Sequence, residues 1–99
     1  MIDLQLQDEK GTALEQFADS EALAFLMAAA PTDGTVCLRF VDPYGRTVFN
    51  QLQIPVLLAE LRARLLHLRG DQHSRASALV AFVEQARERP HWYVGCVGE

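Results

Sequence analysis

The stretch that decides the fold is VCLRFVDPYGRTVFNQLQIPVLLAELRARLLHLR, residues 36–69. Its first half predicts a β-hairpin, because two apolar runs flank the turn residues Pro43-Tyr44-Gly45. Its second half predicts a helix that begins at Pro55, since the first helical position leaves a backbone N–H without a partner and proline lacks that N–H. The helix should end near Arg69, just before Gly70. A strand, a turn, a strand and a helix form a folding nucleus and not a catalytic signature.

The length of the turn decides which side chains share a face of this hairpin. A two-residue turn would put Phe40 opposite Thr47 and mix polar with apolar residues on each face. A three-residue turn, with Gly45 in the left-handed conformation, puts Phe40 opposite Val48 and collects one apolar face from Val36, Leu38, Phe40, Val48 and Leu52. The same register turns Asn50 toward that face. A buried amide needs hydrogen-bond partners, so Asn50 either caps the next helix segment or lines a small pocket.

The N-terminal residues predict a second hairpin. Ile2, Leu4 and Leu6 alternate with polar residues, which is typical of a half-buried strand. Turn residues follow at 8–11, and a three-residue loop there puts Leu6 opposite Leu14. The alternative is that Thr12 starts a short helix through a capping box. Residues 19–21 then predict the start of a helix that runs to about residue 30.

The C-terminal third predicts one more helix and one more strand. Ser74 can cap a helix that ends near Arg89, because Pro90 stops it. Residues 91–97 are apolar at successive positions, which favours a central strand buried on both faces. We therefore expect a single α+β domain over residues 1–99, with helices packed on a largely antiparallel sheet of about five strands.

Two surfaces of this fold are expected to bind a partner. Val56, Ala59, Ala63 and Leu66 widen the apolar stripe of the leucine-rich helix beyond what one neighbour can cover. The sheet face opposite the predicted core would be apolar as well, and exposed apolar patches mark interaction sites. We expect a homodimer through one of these surfaces. The candidate partner-binding residues are Phe17, Val41, Phe49 and Tyr93 on the sheet, with Arg62 and Arg69 on the arginine-rich helical edge.

The sequence offers little chemistry for catalysis or metal binding. No glycine-rich phosphate loop follows a strand, and the histidines lack the close paired spacing of a zinc site. Cys37 and Cys96 both fall in predicted strands, where a buried thiol is an inert apolar residue more often than a nucleophile or half of a disulfide. We expect no cofactor and no metal. The net charge of −4 and the single lysine argue against nucleic-acid binding.

Composition and charge set further bounds. Apolar residues make up 49% of the chain, which suits an ordinary globular domain. Residues 1–38 carry a net charge of −6 and residues 39–99 carry +2, which can steer one copy toward another. The longest apolar run, at residues 22–31, is about half of what crosses a bilayer, and no cationic leader precedes it. No membrane association and a cytoplasmic location are the expectations.

Two functional hypotheses from different classes remain. The first is a small cytoplasmic protein-interaction or regulatory domain that self-associates. The second is a small-molecule-binding domain, or a minor enzyme, with a pocket between sheet and helices. The pocket candidates are Asn50, His91 and Trp92. The first hypothesis is favoured, because the apolar surfaces have residues to support them and no catalytic constellation is present.

Overall fold

The computed structural model describes residues 2–29 and 34–98. In chain order the elements are strand β1 (Ile2–Gln7), strand β2 (Ala13–Gln16), helix α1 (Ala22–Ala28), a short 3-10 helix (Leu38–Phe40), strand β3 (Arg46–Phe49), helix α2 (Ile54–Leu65), helix α3 (Gly70–Arg87) and strand β4 (Tyr93–Gly98). The fold is α+β, as expected. The described residues contain four strands, which is fewer than the five predicted.

The last strand lies at the centre of the sheet, as its apolar sequence predicts. The strand order is β2-β1-β4-β3, and every neighbouring pair is antiparallel. Leu6 and Phe49 both lie opposite Val94, and all three side chains are buried on the face that the helices cover. α1 packs against β1, and α3 packs against β4 and both other helices. The core therefore lies between one face of the sheet and the three helices.

The first hairpin forms with the three-residue loop that was predicted. The Asp8 N–H donates to the Thr12 carbonyl at 3.0 Å, and Gly11 is left-handed at φ 82°. Leu6, however, lies opposite Glu15, and the predicted pairing of Leu6 with Leu14 is wrong. A bulge after the first pair of the ladder makes Leu14 an extra residue and leaves it exposed.

The central hairpin does not form as predicted. Residues 36–40 do not form a strand: residues 38–40 form the 3-10 helix, and the Glu60 carboxylate of α2 takes the backbone donors of residues 36–38. Its oxygens accept from the N–H groups of Val36 at 2.7 Å, Cys37 at 3.1 Å and Leu38 at 2.9 Å. A strand needs those donors for its ladder, so a side chain from a distant helix removes it from the sheet.

The hydroxyl of Thr47 joins β3 to residues 40–42, where the predicted hairpin would have had backbone hydrogen bonds between two strands. Thr47 Oγ1 accepts from the Asp42 N–H at 2.9 Å and donates to the Phe40 carbonyl at 3.3 Å. The Gly45 N–H donates to the Asp42 carbonyl at 3.4 Å, which closes the turn. The predicted left-handed conformation of Gly45 is wrong. Glycine at this position leaves room for the Asp42 carboxylate, because a Cβ would lie 2.6 Å from Asp42 Oδ2 and the carboxylate would have to shift.

The helix boundaries differ from the predicted ones. α1 ends at Ala28, and the predicted end at residue 30 lies outside the described residues. α2 ends at Leu65, short of Arg69, and α3 begins at Gly70, earlier than Ser74. The reason is Arg69: its extended backbone, at φ −137° and ψ 157°, separates two helices that follow each other closely.

Candidate interaction surface

The outward side of α2 carries a regular apolar stripe. Leu52, Val56, Ala59, Ala63 and Leu66 are all exposed, and their spacing of four, three, four and three residues keeps them on one side of a helix. Leu52 is 86% exposed, Val56 40% and Leu66 72%. Leu52 precedes the helix, but the Ile54 N–H already donates to the Asn50 carbonyl in the helical pattern at 2.9 Å. We call these five residues the α2 stripe.

A shallow groove runs beside the middle of this stripe. It has a volume of about 360 Å³, and its walls include Val36 on one side and Val56, Ala59 and Ala63 on the other. The small alanine side chains leave this space open. Glu60 holds residues 36–38 against α2, so Val36 stays at the rim of the groove, where it is largely exposed. The α2 stripe therefore has a built depression that an apolar side chain can enter.

Charged residues at the rim of the stripe are satisfied within the chain. Arg62 forms a hydrogen-bonded ion pair with Glu84 of α3. Arg69 Nη1 donates to the Leu66 carbonyl at 2.7 Å and to the Leu68 carbonyl at 2.8 Å. These two arginines, predicted as partner-binding residues, thus lie beside the α2 stripe and brace α2 and its C-terminal end.

The sheet residues predicted to bind a partner do not form one surface. Phe49 and Val41 are buried in the core, because the register of β3 turns Phe49 toward the helices. Phe17 packs on the Phe82 ring with centroids 5.2 Å apart. Tyr93 lies on the opposite, uncovered face of β4 beside Gln7. The apolar second sheet face predicted from the sequence is therefore wrong, since its main members belong to the core.

Two of the three pocket candidates, Asn50 and Trp92, have structural contacts of their own. Asn50 Oδ1 accepts from the N–H groups of Leu52 and Gln53 at 3.0 and 3.1 Å, so it caps the turn that leads into α2. This is the capping alternative considered for Asn50, but the predicted inward orientation is wrong, since Asn50 is exposed. Trp92 packs against the core and lies under the Arg89 guanidinium, 5.2 Å from it. His91 is exposed, with φ 68°, and its Nδ1 lies 3.7 Å from Glu9 Oε2.

The thiols are poor nucleophiles. Burial raises the pKa of the Cys96 thiol to about 12. Burial and the nearby Glu60 carboxylate also raise the pKa of Cys37. Both cysteines are free. Within residues 2–29 and 34–98, no three His, Cys, Asp or Glu side chains lie close enough together to hold a metal ion.

Sequence reasoning found four members of the α2 stripe and missed the fifth. The predicted hairpin puts Leu52 on its apolar face, whereas the position of Leu52 four residues before Val56 indicates that it continues the stripe. None of the helices in the described parts of the chain is long and apolar enough to span a membrane. Comparison of the chain with protein-family models, curated proteins and solved structures finds no match.

Proposed function

We propose that this chain is a small protein-interaction domain that works as a homodimer and associates through the α2 stripe. The observation that carries the proposal is the unbroken row of exposed apolar residues at helical spacing, from Leu52 to Leu66. Such a row on a helix that already buries its other side against a core is typical of a surface that packs on another helix. The proposal includes a cytoplasmic location, supported by two free cysteines.

A second copy fits this surface because the stripe is nearly symmetric about Leu61. Val56 and Leu66 lie five residues on either side of that position, and Ala59 and Ala63 lie two residues on either side. A two-fold axis at this level, with the helices antiparallel, sets Ala59 against Ala63 of the partner and Val56 against Leu66 of the partner. Small side chains meet in the middle and large ones at the ends, which is the self-complementarity that a two-fold interface requires.

Electrostatics do not oppose this packing. Arg62 is already paired with Glu84, and Glu60 is bonded to three backbone N–H groups. Neither side chain would therefore bring an unpaired charge into the apolar interface, and burying an unpaired charge would be costly. The antiparallel arrangement also sets the C-terminal end of each α2 beside the N-terminal end of its partner, where the helix dipoles attract.

The energy comes mainly from two Leu66 side chains, one from each copy, which pack beside Val56 of the partner at the two ends of the interface. Burying a leucine side chain contributes about 2 kcal/mol, and a few such anchors dominate most interfaces. The groove next to Val36 offers the partner's Leu66 a concave site. The remaining contacts with Ala59 and Ala63 let the helix axes approach closely, toward about 8 Å.

Sedimentation equilibrium at a series of protein concentrations tests the proposal. We expect a monomer–dimer equilibrium for the native chain. Leu66→Glu should weaken it by about tenfold or more, because each copy would place a carboxylate in an apolar contact. The unfolding temperature of the monomer should change little, since Leu66 is exposed.

The matched control is Leu14→Glu. Leu14 is another exposed leucine, 42% accessible, on the bulge of β2 and away from the α2 stripe. It makes the same change of charge and should leave the dissociation constant unaltered. A native chain that stays monomeric at high micromolar concentration would contradict the proposal, and so would equal effects of the two substitutions.

A further inference from the structure

Strand β3 is an edge strand that pairs only with β4. The hydrogen bonds between the two strands show which backbone groups of β3 face away from the sheet. The Gly98 N–H donates to the Gly45 carbonyl at 2.7 Å, so the backbone N–H and C=O groups of Gly98 are directed toward β3. In an antiparallel strand, the backbone groups of successive residues are directed alternately to the two neighbouring strands. The backbone groups of Cys96 are therefore also directed toward β3, where they form hydrogen bonds with Thr47, the partner of Cys96 in the ladder.

The same alternation continues along the strand. The backbone groups of Val94 form hydrogen bonds with Phe49 in the same way. Since Thr47 and Phe49 face β4, the N–H and C=O groups of Arg46 and Val48 are directed away from the sheet. The far side of the sheet agrees with this assignment, since the Phe17 N–H donates to the Leu4 carbonyl of β1 at 2.9 Å. In the described part of the chain, no hydrogen bond outside the sheet ladder involves the backbone of Arg46 or Val48. β3 thus has two donors and two acceptors ready for another strand.

The side chains of Arg46 and Val48 determine which residues are favoured in a strand that binds at this edge. Arg46 and Val48 lie on the sheet face that the helices leave uncovered, opposite Val97 and Gly95, and both are exposed. No carboxylate among the described residues pairs with Arg46. An added strand would meet an unpaired cation at one position and a branched apolar side chain two residues away.

We propose that the free edge of β3 binds an extended segment of a partner protein by antiparallel strand addition, and that the segment carries an apolar residue followed, two residues later, by an acidic one. Residues directly opposite in an antiparallel pair share a face of the sheet. The partner chain runs against β3, so it meets Val48 first and Arg46 second. The apolar residue packs on Val48, the carboxylate pairs with Arg46, and the backbone supplies up to four hydrogen bonds.

This site does not depend on self-association. The edge of β3 and the α2 stripe are separate surfaces, and each has its own experiment, so one can fail while the other stands. A second copy of the chain is a poor occupant of this edge. Two copies of β3 paired about a two-fold axis would bring two Arg46 side chains into one interface with no carboxylate between them.

Amide hydrogen exchange read by NMR tests the state of the edge. In the free protein the amide protons of Arg46 and Val48 should exchange rapidly, while those of Thr47 and Phe49 are protected. The probe is a capped seven-residue threonine peptide with valine at its third position and glutamate at its fifth, added at millimolar concentration. Bound peptide should slow exchange at Arg46 and Val48 by about tenfold or more and leave Thr47 unchanged.

Three controls make the result specific. The peptide with valine and glutamate exchanged tests the direction of the added strand, and lysine in place of glutamate tests the charge. Arg46→Glu in the protein should reverse the preference between the glutamate and lysine peptides. Protection of Arg46 and Val48 before any peptide is added would overturn the proposal. It would also be overturned if none of the peptides bound, because short cationic edges in many proteins simply resist strand pairing.

Discussion

One side chain, Arg75 of α3, holds the start of α1 in place. Its guanidinium donates to both carboxylate oxygens of Asp19, at 2.6 and 2.8 Å, and to Glu21 Oε1 at 3.0 Å. It also lies 4.9 Å from the centre of the Phe25 ring. Planar guanidinium groups suit two-point contacts of this kind. The hydrogen bonds from Arg75 are the main reason that the pKa of Asp19 is lowered to about 2.

This lowered pKa predicts how stability changes with acid. A carboxyl whose folded pKa lies below its ordinary value of 3.8 stabilises the fold above that value and loses the effect as the pH falls toward 2. Asp19→Asn should therefore unfold at lower urea concentration than the native chain at neutral pH. The difference should shrink between about pH 4 and pH 2.

The control for Asp19 is Asp71→Asn. Asp71 also lies near Arg75, at 3.5 Å, but it is highly exposed, and its substitution should change the urea midpoint little. A difference between Asp19→Asn and the native chain that stays constant from neutral pH to pH 2 would show that ionisation of Asp19 is not what stabilises the contact.

Other single residues show why sequence reasoning stops short at this scale. Glu60 and Arg64 are four residues apart on α2, and spacing alone pairs them with each other. In the structure Glu60 binds the backbone at 36–38, and the buried Arg64 donates to the Leu26 and Met27 carbonyls at the end of α1. Both contacts join residues more than twenty positions apart, which no local pattern reveals.

At the scale of elements, Gln51 joins the turn before α2 to the end of α3. Its Nε2 lies 2.7 to 2.8 Å from the carbonyl oxygens of Ala86, Arg89 and Trp92. An amide nitrogen has two protons, so one of the three carbonyls accepts a proton of its own and the other two share the second proton. The last carbonyls of a helix have no partner within it, and Gln51 supplies one from another element.

Replacing Gln51 should therefore loosen the end of α3 and the entry into β4. We expect Gln51→Ala to lower the free energy of unfolding by about 2 kcal/mol, because it removes the side-chain donor from the partly buried Trp92 carbonyl. The Ala86 and Arg89 carbonyls lose a contact as well but still accept from the backbone N–H groups of Arg89 and Trp92 at 3.3 Å. Urea unfolding followed by circular dichroism measures this. Gln85→Ala, an exposed glutamine on α3, is the matched control and should cost much less. Equal losses for the two would contradict the capping role of Gln51.

The elements also show what local sequence could predict. Strand β1, the first hairpin loop and the central place of β4 follow from alternation, turn residues and continuous apolar character, all of which are local. The strand expected at 36–40 fails for a reason that is not local, since Glu60 takes its donors. With that strand absent, Phe49 and Val41 enter the core and the expected second apolar face disappears. The apolar width of α2 was visible in the sequence, because helical spacing is local as well.

At the scale of the whole molecule, the proposed dimer has a defined register that disulfide trapping can measure. A two-fold axis level with Leu61 brings Ala59 of one copy beside Ala63 of the other, twice per dimer. The native thiols should not interfere, because burial raises the pKa of Cys96 to about 12 and also raises that of Cys37. Thiolates exchange and thiols do not, so mild oxidation selects exposed cysteines introduced on the α2 stripe.

The double variant Ala59→Cys/Ala63→Cys should form a covalent dimer under mild oxidation, seen as a doubled mass on non-reducing gels. Positions four apart on one helix have Cβ atoms about 5–6 Å apart, whereas a disulfide needs about 4 Å, so a bond within one chain is disfavoured. Ala78→Cys/Ala81→Cys, on exposed positions of α3, should stay monomeric under the same conditions. If Leu66→Glu weakens association but the α2 variant does not cross-link, the stripe is the interface and its register is a different one. If the α3 variant cross-links as readily, random collision explains both results and the two-fold arrangement at Leu61 is wrong.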